Sequence, residues 1–309
     1  MAASTNGPPP EFRSYAAESL AQSPAGAVGK GGELDLRFAR GRDGQSRLVY
    51  DRATVPFHLT GGLYHDEALP DIASAYVQDP TGGIAQGDRY EATVEVGAGA
   101  RAHVSTGSAT KVLRMERNYG ASTTRIDVGE GGYLEYLPEE TILHEGARFW
   151  QQVEMDLAPG ASVLFADVVV PGRLARDELF AFERLHTSVE ARSRGEELFA
   201  DAVRLDGGDH LRGPGLFGEF RVVGTFYVVA PDHDEVAALA DALHERVQPE
   251  GGSEDPSAVG GASVLPRESG VAVRVLGARA SDVTDRFHRV WNRARETLVG
   301  ASAPDTRKF

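Results

Sequence analysis

A pattern of strand, glycine turn and strand occurs three times in the middle of the chain, and it constrains the fold more than any other feature. The copies align on Gly99, Gly131 and Gly160, which lie 32 and 29 residues apart. A period of this size predicts stacked β units, each of which buries its apolar face against its neighbours. A series of ordinary β-hairpins in a glycine-rich chain would give the same pattern, so both interpretations stay open at this point.

The alternation of apolar and polar residues extends well beyond the three copies. It runs from Glu33 to about Ala230, with Gly, Pro and Asp between the alternating segments, which is typical of half-buried strands. We therefore predict a mainly β fold, in which residues 33–230 form a stacked, β-helix-like or two-sheet body. Residues 1–32 are small, polar and rich in Pro and Gly, and they are predicted to be a disordered tail.

The pattern becomes helical after Pro231. Two segments place apolar side chains on one helical face, and in the second segment Ser281 is the predicted N-cap and Gly300 the first residue beyond the helix. We predict two C-terminal helices that pack on the β body, in a helix–strand–helix unit over residues 231–300. Its elements are a helix at 232–247, a loop at 248–261, a strand at 270–276 and a helix between Ser281 and Gly300, followed by a tail at 301–309.

Charge and cysteine content exclude several classes of partner and site. The chain carries 46 acidic and 32 basic residues, a formal net charge of −14, which argues against binding to nucleic-acid phosphates. It contains no cysteine, so a transition metal would have to be bound by His and carboxylates. The longest apolar runs are less than half of the roughly 20 residues that a membrane helix needs, and the N-terminus lacks the pattern of a secretory signal. We therefore expect a cytoplasmic protein with no nucleic-acid or membrane partner.

Two short segments combine histidine with carboxylates, at residues 65–67 and 232–235. These ligand types suit nickel, zinc or manganese. The first segment lies in a polar loop, and the second lies at the beginning of a predicted helix, where the helix dipole favours acids. A solvated loop and an ordinary helix start therefore explain these segments better than metal sites do. The sequence contains no phosphate-binding loop and no HExxH or GxSxG motif.

The densest group of polar residues lies at 105–114 and 134–142. The first segment is rich in hydroxyls and carries Lys111, and the second carries three carboxylates. If stacked units bring the segments together, Lys111 is expected to pair with Glu139 or Glu140 in a partly buried network. A surface turn with ordinary salt bridges would have the same composition, and the sequence leaves the choice between them open.

These segments, in this order, resemble the UreD family of urease accessory proteins, which is also called UreH. The resemblance covers about Glu33 to Gly300, and five ordered motifs carry it. Departures from the family pattern occur at Thr81, Gln86 and Leu113, and also at His144 and Asp177. The motifs lie at Pro80–Asp88, Thr106–Arg114, Leu134–Ile142 and Gly172–Phe180, and at Arg274–Gly277 with Trp291–Arg295.

The resemblance implies a non-enzymatic scaffold. It would bind apo-urease and, through the accessory protein UreF, the GTPase UreG, so that Ni²⁺ reaches the urease active site. The family is expected to be β-helical with a few C-terminal helices, and polar and acidic residues along an internal passage would carry the ion. Transit requires weak ligands in series, because a tight site would trap the metal, and carboxylates and water meet this need. Ni²⁺ would be in transit, and no tightly bound cofactor is expected.

The resemblance also selects candidate site residues. The acidic residues expected along the passage, as transient metal ligands, are Asp88, Glu140, Asp167 and Glu178. The residues expected to orient them or to contact a partner are Ser108, Lys111, Glu135, Glu139 and Arg173. A structural salt bridge is the alternative role for each of these residues.

Two other functions compete with the scaffold. The first is a carbohydrate-active hydrolase on a β-solenoid, with Glu139 or Glu140 and Asp167 as an acid–base pair. Such an enzyme needs exposed aromatic residues for sugar stacking, whereas the chain has only two Trp, one of which, Trp291, is on the apolar stripe of a predicted helix. The second is a β-solenoid interaction module with no role in metal transfer.

Overall fold

The computed structural model describes residues 7–20, 31–248 and 257–305. The strands begin with β1 (Gly31–Arg40), β2 (Ser46–Ala53), β3 (His58–Leu63), β4 (Ala73–Gln78), β5 (Arg89–Val96), β6 (Arg101–Thr106), β7 (Thr110–Val112), β8 (Gly120–Val128) and β9 (Tyr133–Leu137). They continue with β10 (Thr141–Leu143), β11 (Arg148–Leu157), β12 (Ser162–Val170), β13 (Arg184–Ser193), β14 (Glu196–Asp206), β15 (Val222–Val229), β16 (Ala258–Val264) and β17 (Gly270–Gly277). The α-helices are α1 (Arg13–Ala16), α2 (Val236–Val247) and α3 (Ala280–Val299).

The strands form two facing sheets with the parallel stacking of a solenoid. Sheet A has the order β14-β13-β11-β8-β5-β1-β2, and sheet B has the order β16-β17-β15-β12-β9-β6-β4-β3. Strands β5, β8, β11 and β13 run parallel in sheet A, and β4, β6, β9 and β12 run parallel in sheet B. The short strands β7 and β10 stack beside β12 as a third face. The prediction of a mainly β, stacked two-sheet body with C-terminal helices is confirmed.

The repeated glycines occupy equivalent turns between the sheets. Gly99, Gly131 and Gly160 have φ of 62°, 62° and 69°, a left-handed conformation that favours glycine. Each turn is joined to the next turn along the stack, because the Gly99 N–H donates to Glu130 O at 2.8 Å and the Gly131 N–H donates to Pro159 O at 2.9 Å. The sequence period therefore corresponds to successive turns of the solenoid.

The two long helices cover the outer face of sheet B. Leu243 of α2 and Val290 and Trp291 of α3 pack with Phe226 of β15 in one apolar cluster. Helix α3 ends at Val299, and Gly300 follows it as predicted, in a left-handed conformation with φ of 70°. The apolar stripes of both helices thus explain why they lie on the sheet rather than in solvent.

Several predicted C-terminal boundaries are wrong. Helix α2 begins at Val236 and not at residue 232, because the Asp232 carboxylate accepts the Gly160 N–H at 2.7 Å and pairs with Arg194 at 3.1 Å. The N-cap of α3 is Arg279 and not Ser281, and the Asp282 side chain accepts the Arg279 N–H. The predicted loop at 248–261 contains the beginning of β16, while its residues 249–256 lie outside the described part.

The N-terminal strap, which we define as residues 7–20, packs against the body. Phe12 is fully buried against Tyr119 and Ala121, and the Tyr15 hydroxyl donates to Glu183 at 2.7 Å. Glu18 accepts the Asn118 N–H at 2.7 Å. This part of the predicted disordered tail is therefore ordered, since two aromatic anchors in a Pro-rich segment are enough to dock it. Residues 1–6, 21–30 and 306–309 of the predicted tails lie outside the described residues.

Replacing Phe12 by alanine is expected to lower the free energy of unfolding by about 3 kcal/mol, since a fully buried aromatic side chain would leave a cavity beside Tyr119. Urea denaturation of the wild type and the variant measures this change. Phe12→Leu, which keeps most of the apolar volume, is the matched control and is expected to lose about 1 kcal/mol. An alanine variant as stable as the wild type would show that the strap is not docked.

Within residues 7–20, 31–248 and 257–305, no helix has the length and apolar character needed to span a membrane.

Candidate functional site

A row of polar side chains crosses the interior of the solenoid, between two apolar clusters. We call Ser122, Gln151, Asp167, Thr187, Asp201 and Thr225 the polar seam. On β12, Phe165 belongs to one apolar cluster and Val169 to the other, and Asp167 lies between them on the same face. Gln151 on β11 and Thr187 on β13 are placed in the same way, each between an inward apolar residue of one cluster and an inward apolar residue of the other.

Strand register places the seam residues beside one another. In sheet A, Gln151 pairs with Ser122 on one side and with Thr187 on the other. In sheet B, Asp167 pairs with Thr225. The seam therefore follows the stacking direction of the strands, from one turn of the solenoid to the next.

The acidity of Asp167 is changed by its place in the seam. Burial raises the pKa of its carboxyl to about 6, and a hydrogen bond from the Gln151 side chain opposes part of that rise. Among the described residues, no Lys or Arg forms an ion pair with Asp167. At neutral pH the carboxylate is mainly ionised and is held by a neutral amide, which leaves it able to attract a cation.

One end of the seam is a narrow cleft beside the edge strand β14. Asp167, Asp201 and Tyr227 line this cleft. The Tyr227 hydroxyl donates to Asp201 Oδ2 at 2.8 Å, and Arg274 Nη2 donates to the same oxygen. Burial and the neighbouring Asp201 carboxylate raise the pKa of Tyr227, so the phenol stays protonated and acts as a donor. We call this cleft the seam mouth.

Asp88 directly precedes β5, the strand that lies next to Ser122 at one end of the seam. Its carboxylate is fully buried and accepts the Ala85 N–H at 2.8 Å. The Tyr90 hydroxyl lies 3.3 Å from Asp88 Oδ2 and 3.1 Å from Asp79 Oδ2, and Tyr90 pairs in register with Ser122 of the seam. Asp88 closes its own turn, and it also places negative charge beside the row of polar side chains.

Glu178 and Arg173 lie on the third face of the solenoid, away from the seam. Arg173 Nε donates to Glu178, and the Glu145 N–H donates to the same carboxylate. Burial acts to raise the pKa of Glu178, but these two hydrogen bonds hold it below its usual value. Burial and the neighbouring Arg173 and Lys111 charges lower the pKa of His144, which places Lys111 in the same region.

The segment around Glu140 borders this third face. The Thr110 N–H donates to Glu140 O at 2.9 Å, and the Glu139 N–H donates to Thr106 Oγ1 at 2.9 Å. Ser108 and Lys111 are exposed. Backbone contacts thus join the two predicted segments, while the predicted side-chain pairing of Lys111 with Glu139 or Glu140 stays a prediction.

Glu135 lies in a third place, beneath α3 on the outer face of sheet B. Its carboxylate contacts His103 Nδ1 at 2.8 Å and accepts the Tyr133 hydroxyl at 2.7 Å. Arg295 Nε lies 3.4 Å from Glu135, and Arg295 Nη2 pairs with Asp66 at 2.5 Å. Burial acts to raise the pKa of Glu135, and His103 and Arg295 outweigh it, so the pKa is lowered.

The candidate residues therefore do not meet in one site. Asp167 lies in the seam and Asp88 beside the row, Glu178 and Arg173 lie on the third face, and Glu135 lies beneath α3. The histidine-containing segments at 65–67 and 232–235 use their aspartates in ion pairs. Across the described ranges, no group of three or more His, Asp or Glu side chains is arranged to hold a metal ion.

Sequence reasoning missed most of the seam, including Gln151, Thr187 and Asp201. Their signal is a polar residue at an inward-facing position of a strand whose other inward residues are apolar. To use that signal, one must know which alternate residues of each strand face the interior. The three glycine turns could have supplied this assignment for β11 and β12. It could not be read for Asp201, whose strand lies outside the repeat.

Comparison with known proteins identifies relatives over almost the whole chain. The family model described as UreD urease accessory protein matches residues 30–308. A urease accessory protein UreD from Haloarcula marismortui is 50% identical over 98% of this chain and 98% of its own length. The UreD proteins of Natronomonas pharaonis and Cenarchaeum symbiosum are 44% and 32% identical, over 97% and 94% of this chain and 99% and 100% of their own lengths.

Proposed function

The chain belongs to the UreD family of urease accessory proteins, and on this basis we propose that it is a scaffold that delivers Ni²⁺ to urease. It binds apo-urease and, through UreF, the GTPase UreG, and it passes the ion along the polar seam. The family consists of accessory proteins and not of enzymes, which removes the hydrolase alternative. In this proposal the transfer takes place in the cytoplasm.

The observation that carries the proposal is the polar seam itself. A solenoid interior is normally filled by apolar side chains, and a buried polar group costs free energy unless it is compensated. This interior instead holds a row that includes the Asp167 carboxylate and the Thr187 and Thr225 hydroxyls. This row would give a cation oxygen ligands along the stacking direction, which an apolar interior would not.

The chemistry of the seam suits a cation that must move. Carboxylate and hydroxyl oxygens bind Ni²⁺ less strongly than imidazole or thiolate groups, so each position can release the ion to the next. The carboxylates of Asp167 and Asp201 would attract the ion at successive points, and the hydroxyls between them would replace part of its hydration shell. Asp88 would add negative charge at the other side of the row.

The third face is the proposed partner surface. Ser108 and Lys111 are exposed there, and Arg173 is held in place by Glu178. Glu139 and Glu140 border the same region. These residues would contact a partner protein rather than the ion, since Lys111 and Arg173 would repel a cation. Glu140 and Glu178 would then act at this surface, and Glu135 would hold α3 on the body.

Deleting the gene is expected to leave urease protein at its normal level, with little bound nickel and little activity, because the apoenzyme would lack its metal supply. Urease activity and urease-bound nickel in deleted cells, and in deleted cells that carry the wild-type gene, measure the effect. Restoration of both quantities by the wild-type gene is the control. Fully active, nickel-loaded urease in the deleted cells would contradict the proposal, whereas a deletion that lowers urease activity with nickel content unchanged would favour an interaction module with no metal role.

A further inference from the structure

The seam mouth is closed by an ion pair. Asp201 is on β14, the edge strand of sheet A, and Arg274 is on β17 of sheet B, so the pair joins the two sheets where the interior reaches solvent. The Arg274 side chain is 57% exposed and the Asp201 side chain 21% exposed. The carboxylate therefore lies at the boundary of the interior, and the guanidinium covers it from the solvent side.

Two donors converge on one carboxylate oxygen of Asp201. Tyr227 donates its hydroxyl to Asp201 Oδ2, and Arg274 donates to the same oxygen. Tyr227 also lies close enough to Asp167 for that carboxylate to act on its pKa. The four side chains therefore form a continuous set, from the buried acid to the exposed guanidinium.

We propose that Arg274 is the gate residue of the seam: its guanidinium occupies Asp201, and a divalent cation enters or leaves the mouth only when that ion pair opens. The inference rests on the proposed function, because a gate matters only if a cation uses the seam. The position of Arg274 supports this role. Strand register places Arg274 beside Thr225, and Thr225 pairs with Asp167.

The charge of Arg274 acts on the mouth in two ways. A guanidinium in contact with Asp201 neutralises the carboxylate, and it also repels a divalent ion that approaches the mouth. Both effects disappear when the side chain moves into solvent. Because Arg274 is largely exposed, it can move without disturbing the packed core, and a partner that presents a carboxylate to Arg274 would open the mouth as it docks.

The test is binding of Ni²⁺ alone to the full-length protein, measured by equilibrium dialysis at neutral pH. Arg274→Gln is expected to bind Ni²⁺ at least about tenfold more tightly than the wild type, because removal of one adjacent positive charge is worth that much at a partly exposed site. Arg267→Gln is the matched control, since Arg267 is exposed and pairs with Glu196. This control is expected to bind Ni²⁺ as the wild type does.

A double variant, Arg274→Gln with Asp201→Asn, locates the effect. Asparagine can still accept the Tyr227 hydroxyl, so the mouth keeps its shape, and the gain in Ni²⁺ affinity is expected to disappear. An Arg274→Gln variant that binds Ni²⁺ as the wild type does would overturn the gate. A gain that persists in the double variant, or that Arg267→Gln reproduces, would overturn it as well.

Failure of the gate and failure of nickel delivery give different results. If Arg274→Gln gains no affinity while gene deletion still leaves urease without nickel, only the gate is wrong. If deleted cells contain nickel-loaded urease, delivery is wrong, whatever the dialysis result.

Discussion

Replacing Asp167 by asparagine is expected to stabilise the folded protein at neutral pH and to impair nickel delivery. The two effects have opposite signs because the ionised carboxylate is costly in the interior, whereas in the proposed function it attracts the passing cation. A residue that served only the fold would show the opposite pattern, since its removal would destabilise the protein. The substitution therefore separates a transport role from a structural one.

The stability half of this prediction follows from the pKa of Asp167. Burial raises that pKa to about 6, above the ordinary value of 3.8, so the folded state binds the proton more tightly than the unfolded state does. The contribution of Asp167 to the free energy of unfolding must then fall as the pH rises from about 4 to about 6, by up to roughly 3 kcal/mol. Asparagine carries no such proton, so the variant does not show this loss.

Urea denaturation at about pH 4.5 and about pH 7.5 measures the effect, and the advantage of Asp167→Asn over the wild type is expected to grow by roughly 1–2 kcal/mol between them. Asp51→Asn is the matched control, since Asp51 is an exposed carboxylate on β2, away from the seam. A variant less stable than the wild type at neutral pH would assign Asp167 to the fold.

Replacing Arg295 by methionine is expected to lower the free energy of unfolding by about 3–5 kcal/mol. Arg295 is fully buried and lies between the Asp66 and Glu135 carboxylates, at 2.5 Å and 3.4 Å. Methionine fills similar space but leaves two buried acids with less positive charge between them. We expect a lower thermal midpoint and weaker packing of α3 on sheet B.

Thermal and urea unfolding compare this variant with Arg293→Met, a substitution on the same helix. Arg293 pairs with Glu296 at the surface, at 3.9 Å, so its loss is expected to cost no more than about 0.5 kcal/mol. Equal effects of the two substitutions would show that the buried network does not stabilise α3.

The architecture could be predicted because it rests on local rules. The left-handed turns at Gly99, Gly131 and Gly160 and the alternation along the strands fix which strands stack, and both are visible in the sequence. The strap could not be predicted in the same way. Its order depends on Phe12 meeting Tyr119, more than one hundred residues later, and no local pattern encodes that contact.

The candidate site was predicted only in part, for a geometric reason. A solenoid has three faces and an interior. Neighbouring residues of one sequence motif can therefore lie on different faces, or in the interior. Glu135 points outward beneath α3, whereas Glu139 and Glu140 follow β9 toward the third face. Asp167 was among the predicted residues and lies in the seam, but the seam also contains Gln151 and Thr187, which become neighbours only when the strands stack in register.

Nickel passage along the seam is tested most directly by the amount of nickel that reaches urease in a reconstituted system of apo-urease, UreF, UreG and Ni²⁺ with this protein. We expect full loading of urease with the wild type and with Asp51→Asn. We expect loading at least about tenfold slower with Asp167→Asn, because loss of a partly buried carboxylate weakens the attraction of the route for the ion by more than the 1.4 kcal/mol that a factor of ten requires. Loading by Asp167→Asn at the wild-type rate would contradict passage of nickel along the seam.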